Sequence, residues 1–259
     1  MLHVVFGGAG FLGSTLVDAL SERREEVIAV DDLSSGRLAN LQSAIERRRV
    51  TFLYGDVESD PAGVAAHVAR VARGRRSRVY VAMGASDAVL RCVREIDAEL
   101  VVLRHWPDGG VTARMPSGVR VMYLANPFGP RMPAAPGSLL WEIFAKLAAG
   151  AAAPIGGIEH IAVPLTYSRD AARYLVNASA EGSGNDERFC PAATATVFGV
   201  ASIAATLSGV QLRIAPALVD CLEVPVLGES WRGAAGLADL RRALRETQRW
   251  FAARREAAA

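Results

Sequence analysis

The 259-residue sequence predicts an α/β fold in which a doubly wound parallel sheet is followed by a smaller C-terminal α/β lobe. Three observations support this prediction. Short apolar runs alternate with helical patterns through the first half of the chain, and such alternation is typical of right-handed crossovers in a parallel sheet. These runs are continuous rather than alternating, as in strands that are buried on both faces. A glycine-rich turn joins the first run to the first helical pattern.

The first apolar run, LHVVF at 2–6, precedes a helical pattern at 14–23, and three glycines stand three residues apart between them. Gly7 allows a tight turn, Gly10 allows backbone to approach a pyrophosphate, and Gly13 lets the helix pack closely on the strand. The amino terminus of the helix then offers N–H groups and a partial positive charge to the phosphates. The spacing therefore predicts a Rossmann-like dinucleotide cradle, although an ordinary glycine turn with a helix cap stays open.

The second apolar run, EEVIAVDD at 25–32, ends in two carboxylates, Asp31 and Asp32. An acidic residue at this strand end is placed to accept hydrogen bonds from an adenosine ribose. Because a carboxylate there repels a 2′-phosphate, the pattern favours NAD over NADP. The sequence therefore predicts NAD as the cofactor.

Four later runs complete the predicted sheet, and the segment 61–73 between the first two of them has a helical pattern. The runs are VTFLYGDV at 50–57, RVYVAMGAS at 78–86, AELVVLR at 98–104 and GVRVMYLA at 118–125.

Composition excludes several classes of function. The formal net charge is only +2 and the basic clusters fall at predicted helix ends, so we expect no nucleic-acid partner. No apolar stretch reaches the ~18–20 residues of a membrane span, and the amino terminus lacks the basic flank of a signal peptide. Cys92, Cys190 and Cys221 match no zinc or disulfide pattern, which predicts a cytoplasmic protein without a metal site.

Several motifs taken in order resemble one family. GGAGFLGS, VDDLSSGRLANL, YGDV and NPFGPR resemble the extended short-chain dehydrogenase/reductases, the group of NAD-dependent nucleotide-sugar epimerases and dehydratases. The resemblance implies an NAD-binding Rossmann-like domain over 1–126 and a lobe over 127–259 that binds a small-molecule substrate. Residues 163–180 resemble the segment that returns to the first domain.

The resemblance also implies which residues contact NAD. Those along the pyrophosphate are Gly7, Gly10, Phe11, Leu12 and Gly13; Asp31 binds the ribose; Asp32, Leu33, Ser35 and Gly36 flank the adenosine; Asp56 and Val57 approach the adenine; Ala82, Met83 and Gly84 line the cofactor beyond the fourth strand.

The sequence departs from this family at its catalytic helix. The family carries Tyr-x-x-x-Lys on a long helix between its fifth and sixth strands. None of the five tyrosines here precedes a lysine at that spacing, and the single lysine, Lys146, follows Glu142 at that spacing. The connecting segment 105–117 contains two prolines and a double glycine and is predicted to be a loop. Since the missing helix contributes to the family's dimer, we do not expect that helix-bundle dimer, and another oligomer stays open.

Three residues are candidates to replace the missing pair. His105 and Asp108 follow the fifth strand, and Ser86 follows the fourth, where open α/β sheets place ligand sites. A surface histidine and a helix cap at Ser86 are the structural alternatives. Three functions stay open: the family reaction with NAD and unusual acid–base groups, a cofactor-independent cyclisation, isomerisation or elimination in secondary metabolism, and a non-catalytic NAD-binding partner subunit.

Overall fold

The computed structural model describes residues 1–82, 84, 86–96, 98–106, 118–134, 138–178, 186–190, 192–217 and 240–258. Contacts divide the chain into two units. Unit 1 comprises Met1–Arg104, Asp108–Tyr123 and Ala171–Cys190, and unit 2 comprises His105–Pro107, Leu124–Asp170 and Pro191–Ala259. Both units are therefore discontinuous in sequence.

The strands and helices follow one another in a regular order through unit 1 and into unit 2. In chain order they are β1 (Leu2–Phe6), α1 (Phe11–Glu22), β2 (Glu26–Asp31), α2 (Gln42–Glu46), β3 (Val50–Tyr54), α3 (Pro61–Ala72), β4 (Ser77–Val81), α4 (Asp87–Ile96), β5 (Glu99–Trp106), β6 (Val119–Ala125), β7 (Pro127–Phe128), α5 (Leu139–Ala148), β8 (Ala153–Gly156), β9 (Ala162–Tyr167), α6 (Ser168–Ala178), β10 (Asp186–Phe189), β11 (Ala193–Thr196), α7 (Val197–Leu207), β12 (Ile214–Pro216) and α8 (Leu240–Ala258). A short 3-10 helix, Leu38–Leu41, precedes α2.

Unit 1 is built on a seven-stranded sheet in the order β3-β2-β1-β4-β5-β6-β10. The central strand β1 pairs in parallel with β2 and β4, so that Val4 lies opposite Ile28 on one side and Val79 on the other. All three valine and isoleucine side chains are fully or almost fully buried. Burial on both faces explains why these runs are apolar throughout rather than alternating. The predicted doubly wound α/β sheet is confirmed.

Two predicted strands end earlier in the structure than expected. The third ends at Tyr54 instead of Asp56, and the fourth ends at Val81 instead of residue 86. In the first case the carboxylate of Asp56 accepts the backbone N–H of Glu58 at 2.9 Å, which forms a turn and ends the extended backbone.

The fifth strand is longer than predicted, because it continues to Trp106. Assigning His105 and Trp106 to a loop was therefore wrong. The prolines and glycines that favoured a loop lie after these two residues, and the apolar run that favoured a strand ends before them. Residues 107–117 of the predicted loop lie outside the described residues.

The amino-terminal edge of this sheet holds buried polar groups. Arg78, which is almost fully buried, donates to the Glu99 carboxylate at 2.8 Å through Nε. His3 lies beside it on β1, with its ring stacked on Tyr80 at a centroid distance of 5.8 Å. Burial lowers the pKa of His3 to about 4, against the partial opposing effect of the Glu25 carboxylate. This histidine is therefore neutral in the folded protein at physiological pH.

Unit 2 contains a three-stranded sheet in the order β11-β9-β7, the pair β12-β8, and helices α5, α7 and α8. Phe144 of α5 stacks on Phe128 at 6.3 Å and on Phe251 of α8 at 5.7 Å. The buried Tyr167 hydroxyl donates to Glu246 of α8, and burial together with this hydrogen bond raises the pKa of Tyr167. Aromatic packing and this bond attach α8 to the rest of the unit.

In the part of the chain that the structure describes, none of the helices combines the length and apolarity needed to cross a bilayer. The same residues contain no group of three or more His, Cys, Asp or Glu side chains arranged to hold a metal ion.

Candidate functional site

The candidate site lies in unit 1, at the carboxyl ends of the central strands. The strand order reverses between β1 and β4, and open α/β sheets bind ligands at such a switch point. Two backbone hydrogen bonds bring the strand ends together. Gly8 N–H donates to Val30 at 3.0 Å, and Ala82 N–H donates to Phe6 at 3.0 Å. The turns after three strands therefore meet at one edge of the sheet.

The turn after β1 requires glycine at two of the predicted positions. Gly7 has φ of +72°, a conformation that L side chains rarely adopt. A Cβ on Gly13 would lie 2.0 Å from the Gly7 carbonyl oxygen, which is far inside van der Waals contact. The structure therefore brings Gly13 of α1 directly against the turn at Gly7. The resulting close packing aims the first turn of α1 at the sheet edge.

The amino terminus of α1 has no side-chain cap. Gly10 precedes the helix, no side chain caps it, and the first turn contains no acidic residue. The first intrahelical backbone bond is donated by Ser14 to Gly10 at 3.0 Å, so the N–H groups of Phe11, Leu12 and Gly13 have no carbonyl partner within the helix. These amides and the helix dipole form an arrangement that suits an anion.

Asp31 lies at the carboxyl end of β2 with only 7% of its surface exposed. One carboxylate oxygen accepts the Ala9 N–H at 2.9 Å, and the other accepts the Leu33 N–H at 2.8 Å. Leu33 has φ of +61°, a conformation that non-glycine residues adopt only where surrounding contacts compensate. A Cβ on Gly36 would lie 2.6 Å from Asp31 Oδ1, so the following loop closes tightly over the carboxylate. Two amide bonds leave acceptor capacity on both oxygens.

The loop after β2 contains the residues that are predicted to flank the adenosine. Asp32 is partly exposed, and its Oδ1 accepts the Ser34 N–H at 2.9 Å and the Ser34 hydroxyl at 2.7 Å. Ser35 is exposed, whereas Gly36 is buried. A second carboxylate thus stands next to Asp31, which adds negative charge to this loop.

Asp56 and Val57 form the turn after β3. The Asp56 carboxylate accepts the hydroxyl and the backbone N–H of Ser59 and the backbone N–H of Glu58, and these bonds hold the pKa of Asp56 below its ordinary value. Val57 is buried in the core of unit 1. Asp56 is therefore ionised at neutral pH and lies on the surface, while Val57 anchors the turn.

The residues predicted beyond β4 are only partly described. Ala82 is partly buried and continues the β1–β4 ladder, and Gly84 is exposed, with open space where a Cβ would stand. Met83 lies outside the described residues. The backbone after β4 is thus hydrogen-bonded to β1 at Ala82 and open at Gly84.

The three candidate catalytic residues have different placements. Ser86 caps α4, because its hydroxyl oxygen accepts the Val89 N–H at 3.2 Å, and that hydroxyl donates to Glu58 at 2.6 Å. His105 is exposed on β5, in the part of that strand that clusters with unit 2. Asp108 lies outside the described residues. Ser86 belongs to unit 1 and His105 to unit 2, and the catalytic role of all three residues stays a prediction.

Asn40 lies within the motif VDDLSSGRLANL, but the sequence analysis assigned it no role in the site. The side-chain amide of Asn40, in the 3-10 helix, donates to the Ala9 carbonyl oxygen at 2.8 Å, and the Arg37 N–H donates to the same oxygen at 3.0 Å. An asparagine just before a helix is expected to cap that helix. The bond observed here instead spans 31 residues of sequence.

Comparisons with known proteins agree with this geometry. Residues 3–97 match the model of the NAD dependent epimerase/dehydratase family, which confirms the resemblance predicted from the motifs. The chain is 32% identical over 160 residues to the UDP-glucose 4-epimerase of Mycolicibacterium smegmatis, an alignment that covers 57% of this chain and 51% of that protein. The chain thus spans about half the length of this curated relative.

Solved structures show the same fold over nearly the whole chain. The UDP-glucose 4-epimerase of Thermotoga maritima, solved with UDP-glucose, superposes with a TM-score of 0.75 at 18% identity and covers 100% of both chains. The dTDP-glucose 4,6-dehydratase of Streptomyces venezuelae, solved with NAD bound, also has a TM-score of 0.75 at 18% identity and covers 99% of this chain and 98% of its own.

Proposed function

We propose that this chain, whose residues 3–97 match the NAD dependent epimerase/dehydratase family, binds NAD through unit 1 and acts on a nucleotide sugar. One observation carries the proposal. The uncapped amino terminus of α1 stands beside a buried carboxylate, Asp31, at the switch point of the sheet. A diphosphate and a ribose are the two groups that this pair recognises together.

The cofactor preference follows from charge. The amides at the start of α1 attract the diphosphate. Asp31 accepts ribose hydroxyls, and Asp31 with the neighbouring Asp32 repels a 2′-phosphate. The solved dehydratase of this fold has NAD bound. NAD therefore binds with its adenosine over the loop after β2, and NADP binds more weakly.

The proposed reaction belongs to the epimerase and dehydratase class. NAD held by the amino terminus of α1 and by Asp31 would supply hydride-transfer chemistry at a sugar carbon. The chain itself must then take the hydroxyl proton from the same carbon and hold the oxidised sugar. Since no Tyr-x-x-x-Lys pair exists within these 259 residues, that proton acceptor differs from the family's tyrosine. His105, which is exposed on β5, is one candidate for this acceptor.

The test begins with the purified protein. We expect acid or heat denaturation to release a nucleotide that mass spectrometry identifies as NAD, or titration to show binding of NAD in preference to NADP. Addition of UDP-glucose or dTDP-glucose should then change the nicotinamide absorbance near 340 nm and yield an altered sugar. A protein that neither contains nor binds NAD refutes the proposal.

A second candidate is a non-catalytic NAD-binding subunit, which the missing Tyr-x-x-x-Lys pair favours. It predicts NAD binding without turnover of any nucleotide sugar until a second protein is added. A cofactor-independent reaction on the same fold is the third candidate. It predicts turnover without nicotinamide and little effect of Asp31→Ala on the rate.

A further inference from the structure

We propose that Asn40 is a positioning residue for the diphosphate subsite, an inference that rests on the proposed binding of NAD. Asn40 lies in the 3-10 helix after β2, and its side chain is the group that reaches back to the turn after β1. Its Nδ2 donates to the Ala9 carbonyl oxygen at 2.8 Å. That carbonyl belongs to the peptide unit immediately before α1 begins.

The peptide unit between Ala9 and Gly10 is held at both of its polar atoms. Its oxygen accepts bonds from Asn40 and from the Arg37 N–H, and its N–H, on Gly10, donates to Gly7 at 3.1 Å. Two donors occupy the two lone pairs of that oxygen. A carbonyl oxygen held in this way cannot rotate towards an incoming phosphate, where its partial negative charge would repel the anion.

The Asn40 bond also joins two parts of the cradle. Asp31 accepts the Ala9 N–H at 2.9 Å, so the loop that follows β2 holds both polar groups of Ala9. The loop predicted to bind adenosine thereby sets the position of the turn predicted to bind the diphosphate. Loss of Asn40 should loosen the turn after β1 while leaving Asp31 in place.

The same short segment provides a matched control. Gln42 lies two residues later, and its side-chain amide donates to Glu46 at 3.0 Å on the exposed surface. Gln42→Ala therefore removes a side-chain amide and one hydrogen bond without touching the turn. Asn40→Asp keeps the shape of the side chain but replaces the donor at that position with a second acceptor facing the Ala9 carbonyl.

The first measurement is hydrogen exchange on the ligand-free protein. Thermal melting first establishes that the variants compared have the same global stability as the native protein. We expect Asn40→Ala and Asn40→Asp to speed exchange at the hydrogen-bonded amides of Ala9, Gly10 and Ser14 by about tenfold, the size of one lost hydrogen bond. Exchange in β4 should match that of the native protein. The proposal is overturned if these three amides exchange at the same rate in the Asn40 variants as in Gln42→Ala.

The second measurement separates positioning from general loosening. We expect ADP and NAD to bind about tenfold more weakly to Asn40→Ala, while adenosine, which lacks phosphate, binds within twofold of its native affinity. An equal loss for adenosine and ADP overturns the proposal. Failure of the native protein to bind NAD refutes the proposed function instead, and the exchange measurement still decides the role of Asn40.

Discussion

Replacing Asp31 with asparagine tests the central contact of the site. The two carboxylate oxygens accept one amide each, from Ala9 and Leu33, and the side chain is 7% exposed. An asparagine side chain offers a single acceptor oxygen, so one of these amides must face an N–H₂ group in either rotamer. Leaving a buried donor without an acceptor costs about 2 kcal/mol. For a chain of this length, that loss corresponds to a fall in Tm of about 4–8 °C.

The assay is thermal unfolding followed by circular dichroism, with Asp32→Asn as the control. Asp32 is partly exposed and bonds only within its own turn to Ser34, so its variant should melt within about 1 °C of the native protein, as for most surface substitutions. Saturating NAD should raise the Tm of the native protein. It should raise the Tm of Asp31→Asn by less, because the ribose hydroxyls lose one of the two acceptor oxygens of Asp31. Equal melting of the two variants would show that Asp31 does not hold the turn and would refute this reasoning.

Three further predictions concern the glycine turn, the buried histidine and the thiols. Gly13→Ala should lower the free energy of unfolding by about 3 kcal/mol or more and abolish NAD binding, because its Cβ would lie 2.0 Å from the Gly7 carbonyl oxygen. The control is Gly84→Ala, whose Cβ enters open space and should leave Tm unchanged. His3 has a pKa of about 4 in the folded protein against an ordinary 6.5, so between these values the unfolded chain binds the extra proton. The free energy of unfolding should therefore fall by about 3 kcal/mol as pH drops from 6.5 to 4. His3→Phe should remove this part of the pH dependence, measured by urea unfolding. Burial raises the pKa of Cys92 and Cys190 to about 12, so neither thiol should react with iodoacetamide at pH 8 in the folded protein. Peptide mass mapping checks this, and rapid labelling of either cysteine would contradict its burial.

The parallel sheet was predictable from the sequence because burial on both faces leaves a direct pattern. Val4, Ile28 and Val79 come from three neighbouring strands, and all three are apolar because they are buried within the sheet. The glycine turn was predictable for a related reason. Only glycine fits at Gly7 and Gly13, so the steric constraint appears directly as residue type.

The rest of the site was not predictable because it depends on contacts between distant segments. The bond of Asn40 to Ala9 is made by a common residue type to a backbone atom, and backbone atoms leave no trace in a sequence. Strand ends were misplaced for a similar reason. Whether extended backbone stops at Tyr54 depends on the hydrogen bonds of the Asp56 carboxylate, which hydropathy does not report.

The order of segments in unit 1 bears on how the protein folds. β10, residues 186–189, pairs with residues 120–123 of β6, and the chain between them passes through unit 2. During synthesis, the outer edge of β6 therefore stays unpaired until residues 186–189 have been made. Pairings over such sequence separations are slow and expose strand edges to association in the interval. Refolding from denaturant should be slow and concentration-sensitive, and chaperones that shield β6 should raise the yield.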